Sequence, residues 1–401
     1  MRAPSLEQGS SSELWTSSSG EIGKLRTSLL GLVEDMSLLL MGPHDYQHEY
    51  VSVNWDHGAL YAALRSKIID SVAQSPGGKT VATICGETNV PQDKLLRILR
   101  LLCCKHIVKE VEDETFAPTA VCEDLVKDDN FRSWVEFQLF ETRVASAHLA
   151  DALLTLPNDY SDGKPGFDVA YGSSIYEWHE KHPEHGIRFS KAMRGVSASL
   201  DPANDLFDKW FASHSNSKPL NVEIGGRYGY ASSYLASKHP ELRFEVRATS
   251  RQLLDRARDG LEADCKQRVT FKHSDDDLSP QPGEDVQNVA TYLVRNVLWN
   301  WSDDHAVKLL QTFLPILENS PETVILISDG ISPAMNEFPR QQELAYRRRD
   351  ITTMTMHNVK QRTQNEWLQL FRRASPHLKV TTKTASSSHV FKGLWELTWE
   401  G

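Results

Sequence analysis

The segment RNVLWNWSDDHAVKLL, residues 295–310, carries the side chains of this chain best suited to chemistry. Its pattern predicts the end of a buried strand, then a turn, then a helix that begins at residues 302–304. The turn presents the indole of Trp299 and the amide of Asn300, and the cation Arg295 precedes them. An indole N–H donates a hydrogen bond but has no accessible lone pair, so Trp299 cannot act as a general base. These groups predict stacking, hydrogen bonding and positive charge at a substrate, with Arg295 alternatively a surface cation at the strand end.

A second segment with chemical potential is EIGGRYGYAS, residues 223–232, which follows an apolar strand. It contains Glu223, Gly225, Gly226 and Gly229. Glycines let the backbone approach a ligand closely because no Cβ stands in the way. The pattern predicts a turn that binds a nucleotide or a methionyl tail, but it equally describes a plain connection from a strand to a helix.

Metal and disulfide chemistry receive little support. The five cysteines are scattered and form no CxxC pair, which is typical of a protein from a reducing cytosol, so we predict a cytoplasmic location. The segment HEKHPEH, residues 179–185, concentrates histidines but contains a proline and follows a helix-like stretch. We therefore predict no metal site.

The elements that must position these segments divide the chain into four parts. Residues 1–19 are rich in serine and glycine and predict a flexible lead. Residues 20–165 show helical periodicity and the helix, turn, helix and β-ribbon order of a winged-helix unit. Residues 166–217 are predicted to form linker helices that line the substrate pocket. Residues 218–401 alternate strands with helices, which predicts a parallel doubly wound sheet that ends in an antiparallel hairpin and binds ligands at the carboxyl ends of its strands.

Charge and hydropathy exclude several classes of partner. The net charge of −10 argues against nucleic acid, so we interpret the winged-helix unit as a packing or dimerisation module. No apolar stretch approaches the roughly eighteen residues that a membrane span needs. The apolar helices of residues 20–75 and 131–155 exceed what one domain needs for its own core, which predicts a homodimer.

Several segments, in this order and spacing, resemble the small-molecule O-methyltransferases of the plant caffeate type and their fungal relatives. They are EIGGRYGYASSYLASKHPELRFEV, SDDDLSPQP, LVRNVLWNWSDDHAVKLLQ, ILISDGISP and DITTMTMHNVKQRTQNEW, preceded by the linker-like GFDVAYGSSIYEWHEKHPEHGIRFSKAM. The resemblance covers nearly the whole chain. It implies an α/β fold in which a class I methyltransferase Rossmann-like doubly wound sheet follows an all-helical winged-helix dimerisation domain.

The resemblance also implies where the reaction takes place. In the family a histidine removes the substrate proton, an aspartate follows it, and two acids orient the imidazole. At the matching positions this sequence has Trp299, Asn300, Asp329 and Gln361, so only the acid at Asp329 is retained. The substrate pocket is expected to include Phe189, Met193, Trp301, Met354, Asn358 and Gln361.

The cofactor implied by the resemblance is S-adenosylmethionine, held by Glu223, the three glycines of the turn and an acid at Asp276 or Asp275. Arg227 stands where the family has a further glycine, and Ala248 where it has the aspartate that binds the ribose. Loss of that carboxylate costs on the order of 1.5–3 kcal/mol of binding. We therefore expect weakened or absent cofactor binding, and no metal.

The departures favour a reaction without proton transfer. The fungal members of the family include pericyclases. A pocket that lacks a base still holds a polyene in one folded conformer and activates it through hydrogen bonds. We therefore predict a cyclase of the Diels–Alder, hetero-Diels–Alder or Alder-ene type that acts on a polyketide- or pyridone-type small molecule. One alternative is an S-adenosylmethionine-dependent O-methyltransferase with His273 or His357 as its base. A second alternative is a non-catalytic partner that dimerises with an active homologue.

Overall fold

The computed structural model describes residues 5–10, 20–155, 163–199, 203–214, 218–225, 229–248, 251–259, 261, 263–274, 288–387 and 389–401. The chain forms two compact units. The first comprises Met1–Leu156, Lys164–Ser199 and Pro339–Gln341; the second comprises Pro157–Gly163, Leu200–Phe338 and Gln342–Gly401.

Helices dominate the first unit. They are α1 (Gly20–Arg65), α2 (Ile68–Ala73), α3 (Val81–Thr88), α4 (Gln92–Cys104), α5 (Ala120–Lys127), α6 (Asp129–Phe137), α7 (Arg143–Ala147), α8 (Leu149–Thr155), α9 (Gly166–Tyr171), α10 (Ile175–Lys181) and α11 (Pro183–Ser199). A small antiparallel sheet contains β1 (Lys79–Thr80), β3 (Thr115–Pro118) and β2 (Val108–Glu112) in that spatial order. The succession of α3, α4 and the β2–β3 ribbon is the winged-helix order that the sequence predicts.

The core of the first unit follows from helical spacing. On α4, Leu95, Leu99 and Leu102 recur at intervals of four and three residues, and all three are fully buried. They pack with Ile84 of α3 and Phe116 of the ribbon. Burial of each such side chain contributes roughly 1.5–3 kcal/mol, so this apolar stripe holds the winged-helix part together.

Helix α1 is long, is interrupted near its middle, and has exposed apolar side chains. Gly42 has φ 73° and ψ 171°, a non-helical conformation that breaks the helix just before Pro43. Among the exposed apolar side chains on either side of this break, Leu39 is 83% exposed and Leu40 is 82% exposed. No helix within the described part of the chain is long and apolar enough to cross a membrane.

A seven-stranded sheet forms the centre of the second unit. Its strands are β4 (Leu220–Ile224), β5 (Arg243–Ala248), β6 (Val269–His273), β7 (Val289–Arg295), β8 (Val324–Gly330), β9 (Leu378–Ser386) and β10 (Phe391–Trp399). Its helices are α12 (Ala203–Ser213), α13 (Tyr230–Lys238), α14 (Arg251–Asp259), α15 (Asp303–Thr312), α16 (Leu314–Asn319), α17 (Arg340–His357) and α18 (Gln364–Ala374).

The order of the strands defines where a ligand site can form. The spatial order is β6-β5-β4-β7-β8-β10-β9, parallel from β6 to β8 and antiparallel at β10 and β9. The predicted doubly wound sheet and terminal hairpin are both confirmed. The direction of winding reverses between β4 and β7, and a side-chain bond from Thr291 Oγ1 to Asn221 Oδ1, 2.5 Å long, joins these two strands inside the sheet. The carboxyl ends of β4, β7 and β8 therefore border the topological switch point.

Both faces of the sheet are buried. Every residue of β7 except its last is buried, and so are six of the seven residues of β8. Trp367 of α18 packs on Trp395 of β10 with 4.7 Å between ring centroids, and Tyr292 of β7 packs on Phe313. Continuous apolar strands of this kind are typical of parallel sheets covered by helices on both faces.

Candidate active site

The turn that follows β7 places Trp299 beside the end of β8. Trp299 lies in a short 3-10 helix, Leu298–Asn300, and its main-chain N–H donates to Asp329 Oδ2 over 3.2 Å. Its indole Nε1 donates to the main-chain oxygen of Asn296 over 3.0 Å. Asn296 has φ 53°, in the left-handed region that asparagine tolerates better than most residues. The indole is thus oriented by the chain's own backbone.

Asp329, the retained acid of the family's catalytic set, is fully buried. Its Oδ1 accepts a hydrogen bond from the N–H of Gly330 over 3.1 Å. Burial raises the pKa of Asp329 above its usual range, although the positive charge of Lys392 and the bonds from Gly330 and Trp299 oppose the rise. This carboxyl group therefore holds a proton more readily than an exposed aspartate does, and it fixes the Trp299 turn through the main chain.

Arg362 clamps the same turn. Its guanidinium is 2% exposed and donates from Nη1 to the carbonyl of Leu298 over 2.8 Å and from Nη2 to the carbonyl of Trp301 over 2.7 Å. Its Nε donates to Asp303 Oδ1 over 2.7 Å, and its Cζ lies 4.9 Å from the ring centre of Trp367. The rigid fork of arginine suits three acceptors in one plane, so Arg362 fixes the backbone of the turn that carries Trp299.

Lys392 is a second buried cation close to the turn. It lies on β10, is 0% exposed, and its ammonium group donates to the side-chain oxygen of Asn296. Neither Lys392 nor Arg362 is anticipated from the sequence. A signal exists for each: Arg362 lies within a segment that carries the family resemblance, and Lys392 interrupts the otherwise apolar VFKGLW.

The end of α17 and the segment that follows it supply three of the predicted pocket residues, Met354, Asn358 and Gln361. The ring of His357 meets the indole of Trp299 edge to face, with centroids 5.4 Å apart at 81°. Met354 is half-buried on the same helix, and Asn358, just beyond it, is buried and donates to the carbonyl of Gly163 over 3.3 Å. Gln361 is buried as well, and its side-chain atoms lie against Gly330. The structure thus brings Trp299, Asp329 and Gln361 to one place.

Two predicted residues of the turn have different surroundings. Asn300 is half-buried at the end of the 3-10 helix, where its main-chain N–H donates to Val297. Trp301 packs against the apolar core, and its ring lies edge to face with His305, 5.9 Å between centroids. Asn300 thus lies next to Trp299 in the turn, whereas Trp301 anchors the turn to the interior.

Phe189 and Met193 belong to the first unit. Both are half-buried on α11. The ring of Phe189 contacts Phe137 and His179, with centroids 5.3 Å and 4.8 Å away. Their predicted contact with substrate stays a prediction.

The described residues on either side of the glycine turn after β4 are held by the chain's own packing. Glu223 is buried and accepts from the N–H and the hydroxyl of Ser232 on α13, over 3.1 Å and 2.5 Å. Gly225 and Gly229 have φ values of 67° and 61°, and a Cβ on Gly229 would lie 3.0 Å from both Phe271 and Val246. Glycine is therefore required at position 229 with or without a ligand.

Arg295 lies at the topological switch point. It ends β7, which pairs with both β4 and β8. Burial raises the pKa of Glu223, and the charge of Arg295 opposes part of this rise. Gly226, Arg227, Asp275 and Asp276, which the resemblance places at the cofactor, lie outside the described residues.

S-adenosylmethionine fits these residues in part. Gly225 and Gly229, on either side of the turn, have positive φ values that glycine adopts readily. At the end of β5, however, the residue is Ala248, and alanine offers no acceptor to a ribose. Glu223 is engaged with Ser232. Among the described residues, the fit to S-adenosylmethionine is therefore incomplete at the ribose.

The two histidines that could substitute for the family's base are separated by the sheet. His273 ends β6, three strands away from β7 in the sheet, a span of roughly 14 Å at ordinary strand spacing. His357 contacts the indole of Trp299 directly. If a base operates at this turn, the geometry selects His357.

The histidine-rich segment of the first unit is engaged in a carboxylate network. Glu141, fully buried on a π-helical turn at Gln138–Thr142, lies 3.1 Å from His179 Nε2 and 2.8 Å from His185 Nδ1, and it also binds Arg188. Burial raises the pKa of Glu141, but these three partners outweigh it and hold the value below the usual range. Among the residues that the structure describes, no group of three or more histidine, cysteine, aspartate or glutamate side chains is arranged to hold a metal ion.

Comparison with known proteins gives the family. A sequence profile of the O-methyltransferase domain matches residues 147–375. The chain is 43% identical to O-methyltransferase phnC of Penicillium herquei, over 94% of this chain and 89% of that protein. Two solved structures share the fold at 19% identity: "The structure of LepI complex with SAM", with a TM-score of 0.76 and 96% of each chain covered, and "A Pericyclic Reaction enzyme", with a TM-score of 0.75 and 95% of each chain covered. Because the profile spans more than half of the chain and phnC matches nearly all of it, this chain belongs to the O-methyltransferase family.

Proposed function

We propose that this enzyme catalyses a pericyclic cyclisation, of the Diels–Alder, hetero-Diels–Alder or Alder-ene type, on a polyketide- or pyridone-type small molecule in fungal secondary metabolism. The observation that carries the proposal is the state of the turn after β7. Where the family has a base, this chain has the indole of Trp299, and the indole N–H is bonded to Asn296. The carboxylate that would orient a base is bonded to main-chain N–H groups instead.

Such a turn suits a reaction that rearranges bonds within one molecule. A pericyclic cyclisation transfers no proton to the enzyme and releases no fragment, so a base is not required. The rate gain comes from holding a flexible polyene in a single reactive conformer. Trp299, oriented by its two main-chain bonds and by the edge-to-face contact with His357, provides a fixed aromatic wall. We propose the side-chain amide of Asn300, half-buried and adjacent to Trp299 in the turn, as the donor to the substrate carbonyl. Polarising that carbonyl lowers the barrier further.

A relative supports the proposal in fold only. The structure titled "A Pericyclic Reaction enzyme" has this fold at 19% identity, an identity too low to transfer an activity. The proposal therefore depends on the chain's own residues at the turn.

O-methyl transfer is the second candidate, and the position of His357 favours it. Its ring lies 5.4 Å from the indole that replaces the usual base, on the helix end that also carries Met354. S-adenosylmethionine would supply the methyl group when bound. His357 would take the proton of a substrate hydroxyl. The name of phnC, an O-methyltransferase at 43% identity, supports this candidate.

One experiment separates the two candidates. The purified protein is incubated with a synthetic polyketide-pyridone polyene, with and without labelled S-adenosylmethionine, and parallel reactions contain phenolic test substrates. We expect a cyclised product of the same mass as the polyene, in an isomer ratio that differs from the uncatalysed reaction, and no label in any product. An unchanged isomer ratio would overturn the cyclase proposal, and label transfer that disappears in His357→Gln would establish the second candidate.

A double substitution tests how far the site is from a methyltransferase. Trp299→His with Asn300→Asp restores the base and its neighbour, but it restores neither the acid replaced by Gln361 nor the ribose acceptor that Ala248 lacks. We expect only trace methylation of phenols by this variant. Methylation at a rate typical of the family would show that Trp299 and Asn300 together block methyl transfer and that Gln361 and Ala248 do not.

A further inference from the structure

We propose that Lys392 is a positioning residue of this site: from β10 its ammonium group fixes the side chain of Asn296, and Asn296 in turn fixes the indole of Trp299. The proposal rests on the proposed function only in placing the reaction at this turn. The experiment below reports on the indole without any substrate.

The contacts form a chain from the interior of the sheet to the turn. Lys392 is 0% exposed and donates to Asn296 Oδ1. The N–H of Asn296 donates to the carbonyl of Ser328 on β8 over 2.9 Å, and its own carbonyl accepts the indole N–H of Trp299 over 3.0 Å. The main chain of Trp299 returns to β8 at Asp329 over 3.2 Å. Asn296 therefore connects Lys392 to Trp299, and the orientation of the indole depends on it.

The left-handed backbone conformation of Asn296 makes this residue sensitive to the loss of a side-chain partner. A non-glycine residue at φ 53° is held there by its surroundings, since most side chains disfavour that region. The bond from Lys392 ties the side chain of Asn296 to a neighbouring strand and so maintains the conformation that aims its carbonyl at the indole. The charge of Lys392 also reaches Asp329, where it opposes the rise in pKa that burial causes. Both anchors of Trp299 are thus within the influence of one ammonium group.

Stability alone does not account for a lysine at this position. Burial of an ammonium group carries a large desolvation cost, and apolar replacements of buried ionic groups are often neutral or stabilising. The neighbours of Lys392 on β10, Phe391, Leu394 and Trp395, are buried apolar residues that form ordinary core. A cation among them requires a specific partner, and the side chain of Asn296 is such a partner.

The test follows the indole N–H signals of the ten tryptophans by nitrogen-15 NMR of the whole protein. Trp299→Phe identifies the signal of Trp299, and Trp367→Phe and Trp395→Phe identify two core reporters. In Lys392→Met we expect the Trp299 signal to move or broaden and its proton to exchange with solvent roughly tenfold faster, while the two core signals stay in place. Asn296→Gly, which keeps the positive φ and the carbonyl but removes the side chain, should give the same change.

Three comparisons make the outcome decisive. The double variant should show no more change than either single variant, because both remove one interaction. Lys392→Arg should restore part of the wild-type signal, since the charge and donors remain. Leu397→Ala leaves a cavity in the same strand without touching the ammonium group and should leave Trp299 unchanged.

An unchanged Trp299 signal in Asn296→Gly would overturn the proposal, even if Lys392→Met does not fold. An equal response to Leu397→Ala would also overturn it, because the effect would then be general disturbance of β10. Failure of the cyclisation assay leaves these spectra as they are, so the two proposals fail separately.

Discussion

The indole Nε1 of Trp299 and the main-chain oxygen of Asn296 are 3.0 Å apart and share a hydrogen bond. Because the indole N–H already donates to Asn296, it is not available to donate to a substrate. What Trp299 then offers to a ligand is the face of an aromatic ring held at a fixed angle.

Substitutions at Trp299 test this role. Trp299→Phe keeps an aromatic wall and loses one backbone bond, so we expect a loss of about 1 kcal/mol, or roughly fivefold in rate. Trp299→Ala removes the wall, and we expect a loss of about 3 kcal/mol together with leakage to other stereoisomers. The measurements are the cyclisation rate and the product ratio. A phenylalanine variant as slow as the alanine variant would mean that the N–H leaves Asn296 and serves the substrate.

The clamp formed by Arg362 has a measurable share in stability. Arg362→Met leaves two buried carbonyls and Asp303 without their donor, so the free energy of unfolding should fall by roughly 3–5 kcal/mol in a urea titration. Arg373→Met is the matched control, because Arg373 also pairs with Asp303 and with Asp304 but is half exposed. We expect a change within about 1 kcal/mol for the control. Equal effects would show that the buried hydrogen bonds of Arg362 contribute no more to stability than the exposed ion pairs of Arg373.

Asp329 should make stability fall as pH rises. Its folded pKa is raised by burial, so the folded chain keeps a proton that the unfolded chain has already released. Stability from this group is present below the unfolded pKa, about 3.9, and is lost as pH rises through the folded pKa. The Asp329→Asn variant cannot ionise at this position. Its free energy of unfolding should therefore increase relative to that of the wild type as the pH rises through this window. A difference between the two proteins that is constant with pH would contradict the raised pKa.

The exposed apolar surface of α1 predicts a homodimer. Leu39 and Leu40 are more than four-fifths exposed, and large apolar surfaces of this kind mark interfaces. Light scattering should give twice the 45.3 kDa of one chain. Leu39→Lys with Leu40→Lys should shift the mass toward the single chain, whereas Lys94→Glu, on the exposed face of α4, should not. A single-chain mass for the wild type at micromolar concentration would sink the prediction.

Cofactor binding should be weak and repairable. Arg227 and Ala248 replace two residues that usually hold the cofactor, so titration calorimetry should show S-adenosylmethionine binding weaker than about 100 µM. Ala248→Asp returns a ribose acceptor to the end of β5 and should tighten binding roughly ten- to a hundred-fold. Ala248→Asn is the control for size without charge. Low-micromolar binding by the wild type would show that the cofactor needs neither of the two usual residues.

The sequence predicts the sheet and the residues at its carboxyl edge, because these follow from local patterns. Apolar runs separated by helices of ordinary length specify the parallel strands, and the turn after β7 is adjacent in sequence to the strand that ends at Arg295. The proximity of Asp329 and Gln361 to Trp299 follows from the family resemblance, and the structure places them so.

The partners of the turn escape local patterns because they come from distant parts of the chain. Arg362 binds Leu298 across 64 residues, and Lys392 binds Asn296 across 96 residues. No periodicity reports which of many cations is buried, and the direction of an indole N–H depends on a backbone carbonyl whose orientation is set by a single φ angle. Hydrogen-bond partners of this kind become visible only in three dimensions.

The bond between Asn221 and Thr291 bears on how the second unit folds. These side chains join β4 to β7 across 70 residues of chain, and the two strands pair in parallel at the centre of the sheet. The long segment between these strands must bring its ends together before β4 and β7 can pair. This step is slow compared with formation of the local helical contacts of α2 to α5. During synthesis the helices emerge first and the sheet must wait for β7, so nascent chains that end before Val289 expose a half-built sheet edge. The same strand order that creates the ligand edge therefore leaves the β4 edge of a growing chain unpaired until β7 has been made.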